Sequence, residues 1–289
     1  MIPREVEQAL VEALGVPVAE AYPVHGGDIN RAACVTLVDG ERVFLKWNQT
    51  KPPDFFLAEA AGLRELAAPG VIRVPEVLAV GQGPLFLALE WIEEARGGYD
   101  RDQFAERFGH ELAALHRVTA PLHGLDRDNY IGSTPQPNAQ TASWTVFYRE
   151  QRIGAQMDVA RRLGRLPANR ENILTRLQAR LDDLFDDAAM RPALLHGDLW
   201  GGNYMVAAGG VPVLIDPAVY YGHRETDLAM TELFGGFPAR FYAAYREAYP
   251  VEGYDSRRAL YQLYHVLNHM NLFGGGYGSR ADALAGRFL

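Results

Sequence analysis

One cysteine stands in 289 residues. Cys34 alone can form neither an intrachain disulfide nor a cysteine-based zinc site, so a reducing compartment, the cytoplasm, is the expectation. Lysine is almost as scarce: the 28 basic residues are 26 arginines and only two lysines, Lys46 and Lys51. Basic charge as a whole is outnumbered, with 36 Asp and Glu and a formal net charge of −8. A phosphate-backbone binder needs a basic face, so nucleic acid is not an expected partner. No apolar run reaches the roughly 18 residues of a membrane span, so no membrane partner is expected either. The N-terminal MIPREVEQALVEALG is amphipathic rather than a signal peptide. The chain also lacks internal repeats and low-complexity stretches, which excludes solenoids and propellers.

What is present suits a folded enzyme. Apolar residues make up 48% of the chain, enough for a substantial core. The pattern predicts a helix over 4–14, two strands over 33–47 joined at Asp39-Gly40, and a helix over 55–67. Strands follow at 77–80 and 84–92. The character then changes. Phe104, Phe108, Leu112 and Leu115 fall at helical spacing and predict a helix over 102–117. Residues 119–142 read as an irregular loop. Helices are expected over 143–163 and 170–187, short strands around LLHGD (194–198) and PVLID (212–216), and a helical remainder over 225–289. The fold class is therefore α+β and bilobal. A small antiparallel sheet lobe with one inserted helix, residues 1–92, precedes a larger, mainly helical lobe, residues 93–289.

The chemistry concentrates in LLHGDLWGGN, 194–203, and in the strand end Val213-Leu214-Ile215-Asp216. Phosphoryl transfer needs a carboxylate to take the acceptor's proton and oxygen ligands for Mg²⁺. Asp198 as base, with Asn203 and Asp216 as metal ligands, supplies that set. The Asp-x-x-x-x-Asn spacing matches the catalytic loop of protein kinases. His-Gly-Asp in place of His-Arg-Asp is the pattern of small-molecule kinases resembling aminoglycoside phosphotransferases. Taken singly, each of these residues could equally cap a turn; the joint spacing is what points to chemistry.

Lys46 ends the apolar strand Val43-Phe44-Leu45-Lys46-Trp47. In a chain so biased to arginine, a lysine here fits a phosphate-binding point charge, which a guanidinium fork does not reproduce. Glu59 shares a helical stripe with Leu63 and Leu66, so it points inward and needs a partner. A Lys46–Glu59 pair explains both. Gly26 and Gly27, followed by Asn30, precede the hairpin and would let backbone N–H groups approach phosphate. Glu90, Trp91 and Ile92 end a buried strand, where backbone groups could meet an adenine edge.

Several blocks resemble the fructosamine, or ketosamine, kinases. They are GGDIN (26–30), FLKWN (44–48), WTVFYREQRI (144–153), HGDLWGGN (196–203), IDPAVYYGHRETDLAMTELFGGF (215–237) and YQLYHVLNHMNLFGGGY (261–277). The likeness covers essentially the whole chain. It implies a protein-kinase-like fold with ATP and Mg²⁺ between the lobes, and phosphorylation of the 3-hydroxyl of fructosamine, ribulosamine or erythrulosamine adducts. The phosphorylated adduct would then break down and free the amine, so the partner is a ketosamine small molecule or a glycated protein amine. It implies the roles above for Asp198, Asn203, Asp216, Lys46 and Glu59, and an adenine-binding hinge at 90–92. Trp200, His265 and Asn268 are candidates for the acceptor pocket, or for packing and a buried polar network. His196 and Asp227 are expected to hold the catalytic loop. Asp28 stands where some members carry a redox-switch cysteine, which argues against such a switch here. Two other readings remain: a kinase for another hydroxylated amine, such as an aminoglycoside or choline, and a catalytically silent kinase-like binding protein.

Overall fold

The computed structural model describes residues 2–24 and 30–289. Gly26 and Gly27 of the expected phosphate loop, and Asp28 beside them, lie outside the described residues. The first helix, α1 (Arg4–Leu14), buries Val6 and Leu10, one turn apart, and stops at Gly15, whose φ of 73° is left-handed. Five antiparallel strands follow: β1 (Val18–Pro23), β2 (Arg31–Leu37), β3 (Arg42–Trp47), β4 (Val77–Gln82) and β5 (Leu85–Glu90). Their order is β1-β2-β3-β5-β4. The Asp39-Gly40 turn joins β2 to β3, with Asp39 Oδ1 accepting from the Glu41 amide at 3.0 Å and Gly40 at φ 90°. Helix α2 (Phe55–Ala67) lies between β3 and β4 in sequence and packs Phe56 and Leu63 against Leu87 and Leu89 of β5.

Strand β1 was not legible in the sequence, and its surroundings say why. It is an edge strand, exposed at nearly every position, so it carries no apolar alternation.

The rest of the chain is dominated by helices: α3 (Arg101–Leu115), α4 (Trp144–Phe147), α5 (Ala155–Arg162), α6 (Ala168–Leu184), α7 (Glu225–Thr231), α8 (Ala239–Ala248), α9 (Tyr254–Phe273) and α10 (Tyr277–Gly286). The predicted helix over 143–163 is realised as α4, a π-helical turn at Tyr148–Gly154, and α5. The wider turn holds Arg152, which is fully buried. Its guanidinium donates to Pro137 O and Asn138 Oδ1, both at 2.8 Å, and lies 3.9 Å from the Tyr220 ring centre. The segment 119–142 is not wholly irregular. It contains a short hairpin, β6 (Asn129–Ile131) and β7 (Thr134–Gln136). Apart from Ile131 its buried residues are polar: Asn129 donates to Val219 O at 2.7 Å and Gln136 to Ala218 O at 3.0 Å, with Thr134 beside them. A hairpin that buries amides leaves no hydrophobic signature.

Four short strands frame the site: β8 (Ala193–Leu195), β9 (Tyr204–Ala207), β10 (Val211–Leu214) and β11 (Tyr220–Gly222). They form two antiparallel pairs, β9 with β10 and β8 with β11. Only β8 and β10 were expected. Among the described residues no helix is long and apolar enough to cross a membrane.

Helices α3 and α8 meet at Gly109, where an added Cβ would lie 2.4 Å from Phe241 O. Gly109→Ala should therefore destabilise the protein by about 1–3 kcal/mol. Gly286→Ala, with nothing within 4 Å, should be neutral or slightly stabilising. Urea midpoints measure both; equal midpoints for the two variants would contradict this packing.

Candidate active site

The loop after β8 is shaped by a glycine and pinned by a buried carboxylate. Gly197 has φ 84°, and a Cβ there would lie 2.0 Å from Ala218 O. This is the physical reason for His-Gly-Asp: no side chain fits between His196 and Asp198, where the turn passes Ala218 O. Asp227, at the start of α7, accepts the amides of His196 at 2.8 Å and Gly197 at 2.9 Å, and faces His116 Nε2 at 3.2 Å. Burial alone would raise the Asp227 carboxyl; the hydrogen bond and charge of His116 outweigh it and hold it below the usual range. His196 Nδ1 accepts the Asp198 amide at 3.2 Å, which leaves Nε2–H to donate to Ile215 O at 2.9 Å. Both residues thus hold the loop.

Asp198 emerges from this frame with its side chain 18% exposed. Asn203 Nδ2 donates to Asp198 O at 2.8 Å and to Oδ2 at 3.2 Å. Burial pushes the Asp198 carboxyl up to about 7, the negative charges of Asp216 and Asp227 add to it, and the Asn203 hydrogen bond opposes it. Asp216 follows β10 at φ 54°, the one positive-φ residue other than glycine among those described. Such a backbone is uncommon for a non-glycine residue and occurs where surrounding structure enforces it.

Lys46 lies on β3, the central strand, paired with Ala32 of β2 and Leu87 of β5. It is therefore a buried residue, 7% exposed, and not an edge lysine. Its Nζ donates to Glu59 Oε1 of α2 at 2.8 Å and also contacts Asp216 Oδ1. Burial alone would lower the Lys46 ammonium; the Asp216 and Glu59 carboxylates overcome this and hold it above the usual lysine value. Glu59 is itself raised, by burial first and by Asp216, with Lys46 opposing.

The donor set suits a hard divalent cation. Asn203 spends its Nδ2 on Asp198, so its amide oxygen is the ligand atom available, and Asp216 adds a carboxylate. Among the described residues no group of three or more His, Cys, Asp or Glu could hold a metal. Two oxygen ligands completed by phosphate and water are the usual protein share of a nucleotide-bound Mg²⁺.

The other expected site residues are distributed unevenly. Glu90 Oε1 accepts from Arg73 Nη2 at 2.5 Å and its Oε2 from the Glu76 amide at 3.2 Å, so its side chain is occupied. Trp91 packs 6.4 Å from Phe44 and lies under Arg42. Ile92 packs with Ala207 and Val213, flanked by half-buried Met205, Val211 and Ile215. Asn30 Oδ1 accepts from Asn48 at 3.1 Å. Trp200 is 40% exposed and meets Phe234 edge-on at 6.2 Å. His265 and Asn268 are buried in α9 and present no face to solvent; Gln156 contacts Asn268 Oδ1 at 3.5 Å. Sequence reasoning missed Met205 beside the 90–92 segment, because β9 carried no readable pattern, and read Ile215 only as part of the strand leading to Asp216. It also missed the aromatic row Phe234, His269 and Phe273, with ring centres 4.7 and 5.6 Å apart. His269 and Phe273 stand at i, i+4, a spacing that could have revealed the row.

The chain is similar to known proteins along its whole length. The family model described as fructosamine kinase matches residues 2–289. The protein named "probable ketoamine kinase" of Synechocystis sp. is 45% identical over 287 residues, covering 96% of this chain and 94% of that one. The chloroplastic protein-ribulosamine 3-kinase of Oryza sativa subsp. japonica is 39% identical over 97% of this chain and 82% of its own length. A crystal structure from Thermobifida fusca, assigned as a fructosamine-3-kinase, superposes with a TM-score of 0.87 at 35% identity, covering 98% of both chains.

In the metal- and nucleotide-free protein the Asp198 carboxyl should titrate near 7. Asp216→Asn should lower that midpoint, because a like charge is removed. Since the folded value lies above the ordinary value of about 3.9, this group favours folding fully below about 4 and loses that contribution as the pH rises through the folded midpoint. Carboxyl ¹³C NMR reads both proteins; a midpoint near 4, or no response to Asp216→Asn, would contradict the burial and charge arrangement.

Proposed function

This chain belongs to the fructosamine kinase family, and from that premise we propose that it is an ATP-dependent ketosamine 3-kinase. Membership of a kinase family implies ATP as phosphoryl donor. The acceptor is the 3-hydroxyl of a fructosamine, ribulosamine or erythrulosamine adduct, free or on a protein amine, and the product's breakdown frees the amine. The observation that carries this reading is the meeting of Lys46 with Glu59 and Asp216 beside the Asp198–Asn203 pair.

Each residue then has a job. Asp198 takes the proton of the attacking hydroxyl, so that the oxygen entering the γ-phosphoryl group carries no excess positive charge. Asn203 and Asp216 hold Mg²⁺, which when bound neutralises phosphate charge. Glu59 aims Lys46 at the phosphates. Gly26, Gly27 and Asn30 supply the phosphate loop. Glu90, Trp91 and Ile92 form the hinge against which the base lies; the apolar packing of Ile92 with Met205 and Ile215 supports that placement. Trp200 offers an exposed aromatic face to the sugar. Asn268 and His265 support the acceptor side from behind that surface. The lobes divide at 92/93, residues 1–92 carrying the nucleotide and 93–289 the acceptor. The single cysteine supports action in a reducing compartment, the cytoplasm.

Asp198→Asn should reduce turnover by at least about 10²–10⁴-fold while MgATP binding, measured by calorimetry, is retained. ATP consumption should appear with fructosyl-, ribulosyl- or erythrulosyl-lysine. Turnover only with aminoglycosides or choline would overturn the acceptor assignment, and unchanged turnover in Asp198→Asn would overturn the base assignment.

A further inference from the structure

His265 sits at the middle of α9 with 0% exposure, and both of its ring nitrogens lack a hydrogen-bond partner. Its polar neighbours on the same helix are engaged. Tyr264 donates to Gln136, Tyr261 pairs with His223, Asn271 donates to Gln156, and His269 bonds the His265 carbonyl. A neutral imidazole always carries one N–H donor, so a buried ring with both nitrogens idle is an exception that needs a reason.

The nearest carboxylate gives one. His265 Nδ1 lies 3.9 Å from Asp198 Oδ1. Asp198 Oδ2 is already held by Asn203 Nδ2 at 3.2 Å, whereas Oδ1 has no donor among the described residues. The carboxylate is thus flanked by two neutral N–H groups, one per oxygen, with one contact made and the other open. The open contact is within about 1 Å of hydrogen-bond length, and hydrogen bonds of this kind commonly tighten when substrate binds. Burial holds the ring's pKa down to about 3, with His269 and Arg152 adding and Asp227 opposing. The donor therefore brings no charge beside the base.

We propose that His265 is a positioning residue for Asp198: its Nδ1–H closes onto Asp198 Oδ1 in the acceptor-bound enzyme and fixes the carboxylate in the orientation that takes the hydroxyl proton. This rests on the reading of Asp198 as the base. His265 never touches substrate; it acts through the carboxylate, as Asn203 does from the other side.

Three variants separate this from a packing role. His265→Leu keeps approximate volume and removes the donor. His265→Asn keeps a donor near the Nδ1 position. His265→Gln moves a donor toward the Nε2 position. With ATP and ribulosyl-lysine, His265→Leu should lower kcat on the order of 10–100-fold, with the KM for ATP unchanged. His265→Asn should recover most of that loss, and His265→Gln should not. Thermal midpoints are read in parallel, because a packing role predicts that kcat tracks stability and that the smaller polar Asn is the worst of the three. If His265→Leu does not fold, the Asn and Gln variants alone decide. A His265→Leu kcat within about two-fold of wild type, a change too small to reflect lost alignment, overturns the proposal. So does an Asn variant no better than Gln. Asp198→Asn, run alongside, isolates the premise: if it keeps turnover, the base assignment has failed, whereas its loss with His265→Leu intact sinks only the positioning role.

Discussion

A single ammonium group joins the parts of this molecule that must act together. Lys46 Nζ connects the central sheet strand, through its own backbone, to α2 at Glu59 and to the turn after β10 at Asp216. A buried lysine is tolerated only when its charge is matched, and removing either carboxylate would leave that charge poorly compensated. The pairing therefore constrains three elements at once. It also fits the placement of one of the chain's two lysines here: the contact is between one compact cation and oxygens from two different elements. Asp216, held at positive φ, is both a partner of Lys46 and a source of the negative charge that raises Asp198. The electrostatics of Asp198 and of Lys46 are thus coupled through one residue.

The loop that carries Asp198 is built differently. Its geometry is fixed mainly by hydrogen bonds to backbone groups, with the buried Asp227 carboxylate at their centre. Gly197 lets the chain pass over Ala218 O, Asp227 gathers two amides, and His196 ties the loop to the strand that leads to Asp216. Behind it, Arg152, Asn138, Gln136 and Asn129 form a buried polar scaffold reaching the Ala218 and Val219 carbonyls. Such networks are costly when incomplete and specific when satisfied. Here the network sets the backbone next to the loop that carries Asp198.

Much of this could be read from the residues alone, for identifiable reasons. Periodic helices such as α1, α2 and α3 announce themselves because one face is apolar. Asp198, Asn203 and Asp216 stand out through spacing, Lys46 through its rarity, and Glu59 through its place on an apolar stripe; the structure brings Lys46 to Glu59 and Asp216, and Asn203 to Asp198. What stayed hidden lacks those signals. Strand β1 is exposed, the β6–β7 hairpin buries amides, and β9 mixes half-buried positions. The reason for Gly197 is a carbonyl from a distant segment. His265 read as a pocket residue or as part of a buried polar network because it shares a helix face with Asn268; its burial, and its open contact with Asp198, depend on a loop far away in sequence. Local pattern reports which way a side chain points, not what it meets.

The most direct test of the account is a crystal structure with Mg²⁺ and a non-hydrolysable ATP analogue. It should show Lys46 Nζ on the phosphates while still bonded to Glu59, and the metal held by Asn203 and Asp216. Phosphates bound away from Lys46, or a metal held by other side chains, would contradict it.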